Sequence, residues 1–324
     1  LITLHHFSEP QWFQNMGGWK KPKNSELFVE YARYVVENLG DLVCEWITFN
    51  EPNVYTTFGY DLGSFPPGSK NVLESSKVKA EIIKTHVKLY KMIHTIRDDK
   101  NFKGKTMVGA AIHIRIFEGI SHTGKIIANA LDYIFNELFM VGMTTGRLMF
   151  PLLRKDYEYK KGRYVDFLGI NYYTRNIVEF AFDPLNYFHK LVKDKDLQKT
   201  DLGWDIYPEG IYMLCKKYYS KYKLPIYITE NGISDKYDNR RPEYIVNHLA
   251  YIAKAINEGI QVDRYYHWTL MDNFEWLEGE SAKFGLYECD FRTQERIPRQ
   301  SAELYAQICK EKGLTEEMIR SLFS

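Results

Sequence analysis

Apolar, β-branched runs alternate with amphipathic stretches of helical period along this chain, and that alternation leaves few folds open. Leu1–His6, Cys44–Asn50, Thr106–His113, Val165–Asn171, Pro225–Glu230 and Val262–Thr269 read as strands. Between and after them, Ser25–Leu39, Ser76–Arg97, Ile126–Met140, a stretch opened by Pro208, Tyr244–Ile256 and Ala302–Lys310 read as helices. In the first of these, Phe28, Tyr31, Ala32, Val35 and Leu39 form one stripe, with Ser25 as N-cap and Gly40 just past the end. The pattern predicts an α/β fold, a parallel sheet with crossover helices. Six such units are two short of the eight that close a β/α barrel. No fixed-period repeat, low-complexity tract or linker-like run interrupts residues 1–324, so they read as a single domain. Phe182–Asp205 is long for a loop and is expected to line the mouth of a site.

Several of these strands stop at a polar residue followed by a turn signal, and two of them stop at a glutamate. Glu51 follows Trp46-Ile47-Thr48-Phe49 and precedes Pro52; Glu230 follows Ile226-Tyr227-Ile228-Thr229 and precedes Asn231-Gly232. In a β/α barrel such strand ends build the catalytic face. Glycoside hydrolysis uses two carboxyls, one to protonate the leaving oxygen and one to attack the anomeric carbon or activate water. Each glutamate alone also reads as an ordinary solvated charge.

Composition narrows the classes further. With 324 residues, 45% hydrophobic and 26% charged, the chain can bury a large core. A formal charge of +1 and no basic cluster give no electrostatic case for nucleic acid or an anionic membrane surface. Aromatic residues reach 15%, which suits stacking on sugar rings and equally suits a barrel core. Cys44, Cys215, Cys289 and Cys309 lack metal or redox spacing and read as buried thiols of a reducing compartment. We find no signal-like start and no apolar run of about 18 residues. The expectation is a cytoplasmic protein with no membrane partner, although the chain starts at Leu1, so its true N-terminus stays open.

Three longer motifs sharpen this reading: Asn50-Glu51-Pro52, Thr229-Glu230-Asn231-Gly232, and Trp268-Thr269-Leu270-Met271-Asp272-Asn273-Phe274-Glu275-Trp276. Together, in order and spacing, they resemble the family-1 glycoside hydrolases, the β-glucosidase clan with a (β/α)8 TIM barrel. The resemblance runs from Thr3-Leu4-His5-His6-Phe7 to the C-terminal helix. It implies a chain lacking about the first two βα units, and a retaining exo-β-glycosidase acting on terminal β-D-glucosyl, galactosyl or fucosyl residues. Glu51 would be the acid/base and Glu230 the nucleophile. His6 and Asn50 would bind ring hydroxyls, Tyr173 would orient Glu230, and Glu275 would bind the far hydroxyls of the sugar. Trp268, Trp276 and Phe284 would form the wall, and Asn171, at the end of its strand, joins the candidate set. The family needs no cofactor and no metal; His5-His6 has no third ligand at metal spacing.

The same resemblance speaks to specificity. Glu275 sets the chain apart from members acting on 6-phosphorylated sugars, where a fixed negative charge would repel the phosphate. Glu51 sets it apart from thioglucosidases, which lack the acid/base. Phe7 and Gly279-Glu280 depart from a family pattern of Trp and Gly-Tyr and bear on the aglycone side. No segment matches the family's sugar-binding Gln or the Arg that stabilises the nucleophile. A non-catalytic or split form that binds carbohydrate is therefore the competing expectation, with a homo-oligomer or a complementing N-terminal segment as partner.

Overall fold

The computed structural model describes residues 1–152, 160–183 and 187–323. In chain order the elements are β1 (Ile2–Thr3), α1 (Gln11–Asn15), α2 (Ser25–Leu39), β2 (Glu45–Asn50), α3 (Pro52–Thr56), α4 (Val72–Asp99) and β3 (Met107–His113). There follow β4 (Ile116–Gly119), α5 (His122–Leu131), α6 (Leu138–Thr145), β5 (Leu168–Asn171), β6 (Arg175–Phe180), β7 (His189–Val192), α7 (Glu209–Tyr222) and β8 (Ile226–Asn231). The chain closes with α8 (Arg241–Asn257), β9 (Val262–His267), β10 (Tyr287–Cys289), β11 (Arg296–Pro298), α9 (Gln300–Glu311) and α10 (Glu316–Phe323). Two compact units emerge: Leu1–Ile114, Ile126–Ile170 and Phe180–Lys190 form the first, and Arg115–Lys125, Asn171–Glu179 and Leu191–Ser324 the second.

In the first unit β1 pairs with β2, and β2 with β3, all parallel. Parallel strands covered on both faces need apolar side chains on both. In Glu45–Asn50 every residue after Glu45 is buried, and β3 is buried throughout. Short as β1 is, its ladder runs on, since Leu4 N donates to Ile47 O (2.8 Å) and Asn50 N to His5 O (2.9 Å). Helix α4 starts earlier than its apolar stripe because the Asn71 side chain accepts from Leu73 N (3.0 Å) and Glu74 N (3.2 Å).

Helix α2 keeps its expected span and loses its expected caps. Ser25 lies inside the helix, and its Oγ donates to Pro22 O (2.6 Å) and Glu81 Oε1 (2.8 Å). Gly40 remains right-handed at φ −66°. It is needed for space, because a Cβ there would meet the Phe102 ring at 2.6 Å.

In the second unit β8 and β9 are parallel, with Ile226 opposite Val262 and Asn231 opposite His267. Helices α8 and α9 share a core of Ile245, Val246, Leu286, Ala302, Ile308 and Met318. Strand β4 pairs with β6, Ile116 opposite Arg175. Of the segment read as a loop, residues 184–186 lie outside the described ones and His189–Val192 is strand β7. Its later part turns back through an antiparallel bridge between Lys199 and Asp205.

Two composition readings need correction. The helical stretch His122–Thr145 is, by length and composition, apolar enough to cross a membrane. Asp132, Asn136 and Glu137 interrupt its apolar character, which hid it from a search for an uncharged run. Leu138, Phe139, Met140 and Met143 of this stretch are buried, and a Cβ on Gly142 would clash with Ile83 of α4 at 2.5 Å, so the stretch packs closely against α4. The four cysteines are free thiols, but only Cys215 and Cys289 are buried; Cys44 is half-buried and Cys309 exposed.

Candidate active site

Parallel strands end side by side, so β1, β2 and β3 deliver His6, Asn50, Glu51 and His113 to one edge of the first unit. Glu51 is the hinge of that edge. Its backbone is left-handed (φ 43°, ψ 53°), and Pro52 then opens α3 at the first helical position. The turn is pinned where Glu51 N donates to Ala111 O (2.7 Å) and Tyr55 N to Glu51 O (3.0 Å). A non-glycine residue in this region costs of order 1–3 kcal/mol and persists only where its surroundings impose it. The carboxyl itself is buried, and His113 Nδ1 lies 2.9 Å from Glu51 Oε1.

Of the two adjacent histidines, alternation along the strand separates the roles. His5 turns into an aromatic cage of Trp19, Phe28, Phe49 and Tyr55, with Nε2 3.1 Å from Glu9. His6 turns to the strand ends, where Asn50 Nδ2 donates to its Nε2 at 3.0 Å. Burial pushes the His6 pKa down, outweighing the opposing pull of Glu51, and His5 lowers it further. His6 is therefore a neutral imidazole near pH 7, as its acceptor role requires.

The second unit carries the other glutamate. Glu230 is the penultimate residue of the buried strand β8, at 8% exposure, and Tyr173 OH donates to its Oε2 at 2.6 Å. The preceding Tyr172 serves the backbone, donating from N to Glu230 O (2.9 Å) and from OH to Tyr207 O (2.6 Å). Asn171 is buried, and its Oδ1 accepts from Thr229 Oγ1 at 2.5 Å. Asn231 Nδ2 donates to Tyr172 O (2.7 Å) and Tyr244 OH (2.9 Å), which fixes the strand end from behind. Gly232 follows because nothing larger fits: a Cβ would lie 1.9 Å from the Trp268 carbonyl oxygen.

The long tryptophan motif forms the rest of this half. Trp268 Nε1 donates to Glu275 Oε2 across a long 3.4 Å, and Glu275 N donates to Gly279 O at 2.7 Å. Trp276 is left-handed at φ 46° and begins a single 3₁₀ turn, Trp276–Glu278. Asp272 does not cap a helix. It is buried and accepts from Arg299 Nη1 (3.1 Å) and Nη2 (2.9 Å), a two-pronged ion pair that anchors the loop. Phe284 packs edge-on to Tyr173 (6.2 Å) in a small cluster with Ala282, beside Leu202, Trp204 and Trp268.

The structure thus brings His6 and Asn50 together beside Glu51 in one unit, and Asn171, Tyr173, Trp268, Glu275 and Phe284 with Glu230 or its loop in the other. Sequence reasoning missed His113, which ends a strand as Glu51 does and was findable by that rule. It also missed Trp204, which packs against Tyr173 at 5.9 Å and carries no local signal.

The model of the family described as glycosyl hydrolase family 1 matches residues 1–314. A β-galactosidase of Pyrococcus woesei is 33% identical over 99% of this chain and 71% of its own length. Beta-glucosidase A of Thermotoga maritima is 33% identical over 98% of this chain and 74% of its own. Among solved structures, a β-glycosidase from Pyrococcus horikoshii superposes with a TM-score of 0.88 at 36% identity, over 99% of this chain and 74% of that one. The Thermotoga maritima β-glucosidase bound to deoxynojirimycin gives 0.86 at 30% identity, over 97% and 74%. The β/α barrel expected from the motifs is the fold these neighbours share with this chain. By motif order, family model and superposition alike, the chain belongs to glycosyl hydrolase family 1.

Proposed function

We propose that this chain is a retaining exo-β-glycosidase that removes terminal β-D-glucosyl residues, with tolerance for the galactosyl epimer, through Glu51 as acid/base and Glu230 as nucleophile. The observation that carries the reading is the setting of Glu230: a buried carboxyl at a strand end, gripped through one oxygen by Tyr173. A buried carboxylate without a task is costly to keep. Named relatives split between β-glucosidases and β-galactosidases, which supports a glycone site open to both epimers.

In the first half-reaction Glu230 attacks the anomeric carbon while Glu51 gives its proton to the departing oxygen. The carboxylate charge of Glu230 is consumed in the glycosyl ester, and Glu51 becomes ionised. In the second, Glu51 takes a proton from water, the water oxygen bonds to the anomeric carbon, and the ester to Glu230 breaks. Retention requires the two carboxyls about 5–5.5 Å apart. Tyr173 steadies Glu230, neutral His6 and Asn50 meet ring hydroxyls, and Glu275 with Trp268 and Trp276 receives the far side of the sugar. Glu275 also disfavours a 6-phosphate by repulsion. Hydrolysis of an aryl β-D-glucoside tests the reading: Glu230→Gln should abolish it, and a variant that keeps most of the activity would overturn the nucleophile.

A further inference from the structure

From the position of one side chain that the reaction scheme above leaves idle, we infer that His113 is a positioning residue for Glu51. It would donate Nδ1–H to Oε1, so that the proton for the leaving oxygen is carried on Oε2. The inference rests on the reading of Glu51 as acid/base. Its evidence is geometric. His113 is 5% exposed, Glu51 is 7% exposed, and the two meet at 2.9 Å at the ends of neighbouring strands. The ring is held on a second side, edge-on to Phe135 at 5.9 Å. Its backbone is held as well, since Asn53 Nδ2, two residues past Glu51, donates to His113 O at 2.6 Å. His6, on the same edge, also senses the charge of Glu51.

The chemistry gives the contact a purpose. As the glycosidic C–O bond breaks, the proton leaves Oε2 for the leaving oxygen, and negative charge appears on Glu51. A hydrogen bond to a charged acceptor is about twice as strong as one between neutral groups. The His113 bond therefore tightens as the transition state forms, and only interactions stronger there than in the ground state raise kcat. His113 keeps its own proton throughout. When water attacks in the second half-reaction, the same bond holds the carboxylate that removes the water proton.

The test compares His113→Phe, His113→Asn and Glu51→Ala on aryl β-D-glucosides of graded leaving ability, with a nitrogen-15 tautomer measurement of His113 in the unmodified chain. Asparagine places an N–H donor near the original Nδ1. We expect His113→Phe to lower kcat about 10- to 100-fold on poor leaving groups, the worth of one hydrogen bond to a charged group. It should lose far less on dinitrophenyl glucoside. The alkaline limb of its pH profile should move upward, because the donor that favoured ionised Glu51 is gone. His113→Asn should recover most of both effects, and the tautomer measurement should find the proton on Nδ1. Equal losses on all substrates, no movement of the alkaline limb, or a bare Nδ1 would overturn the role while Glu51→Ala still shows selective loss and azide rescue. If Glu51→Ala itself shows neither, the acid/base reading falls and this inference with it. The tautomer measurement decides the contact even where turnover is too slow to follow.

Discussion

Glu51 concentrates three requirements in one residue: a buried carboxyl, a left-handed backbone and a proline at the next position. The left-handed region costs an L-residue with a Cβ roughly 1–2 kcal/mol, and glycine almost nothing. Two variants that both lack the carboxyl therefore separate backbone strain from chemistry. Glu51→Gly should be more stable than Glu51→Ala by about 1 kcal/mol in urea unfolding; equal midpoints would mean the turn relaxes and stores nothing. Both glutamates were legible in the sequence because a strand ending in a carboxyl before Pro or Asn-Gly is a local pattern. The histidine pair was legible for the same reason, since alternation sends only one of two neighbours to each side. Trp204 was not, because its contact with Tyr173 joins residues 31 apart in the chain, with β6 and β7 between them.

At the scale of elements, the Asp272–Arg299 pair anchors the start of the loop carrying Glu275 and Trp276. Both partners are buried, and Asp272 Oδ1 also accepts from Gly285 N at 2.9 Å. Removing one member of a buried pair strands the other charge, at a cost of about 3–5 kcal/mol. Asp272→Ala should lower stability by that amount in chemical denaturation; a loss below about 1 kcal/mol would show that Arg299 is resolvated and the loop anchored elsewhere. By residue type Asp272 and Asn273 would suit helix caps, and nothing local shows that Arg299, 27 residues on, claims the carboxylate. The parallel strands and longer helices were legible from periodicity. Strands β4, β6, β7, β10 and β11 were not: β4, β7, β10 and β11 are only three or four residues long, and β6 pairs with β4, Arg175 opposite Ile116, a partner far off in the chain.

For the molecule as a whole, the buried histidines set how stability answers acid. His86 is enclosed in the first unit, 2.7 Å from Thr48 Oγ1, with Nε2 donating to Tyr164 O (2.8 Å) and Met143 O (3.0 Å). Burial lowers its pKa from 6.5 to about 4. Between those values the unfolded chain binds a proton that the folded chain refuses, so stability falls as pH falls through this window and levels off below it. The contribution is about 1.4 kcal/mol per pH unit. Urea unfolding from pH 7 to 4 should lose about one proton's worth of slope in His86→Gln; an unaltered slope would mean His86 charges without penalty.

The central claim is that Glu230 forms the covalent bond to sugar, and trapping that bond tests it most directly. Incubation with an activated 2-deoxy-2-fluoro-β-D-glucoside, followed by peptide mass mapping, should add one fluorosugar to the peptide containing Glu230. The adduct on any other carboxylate, or an unlabelled chain that still hydrolyses aryl glucoside, would contradict the account.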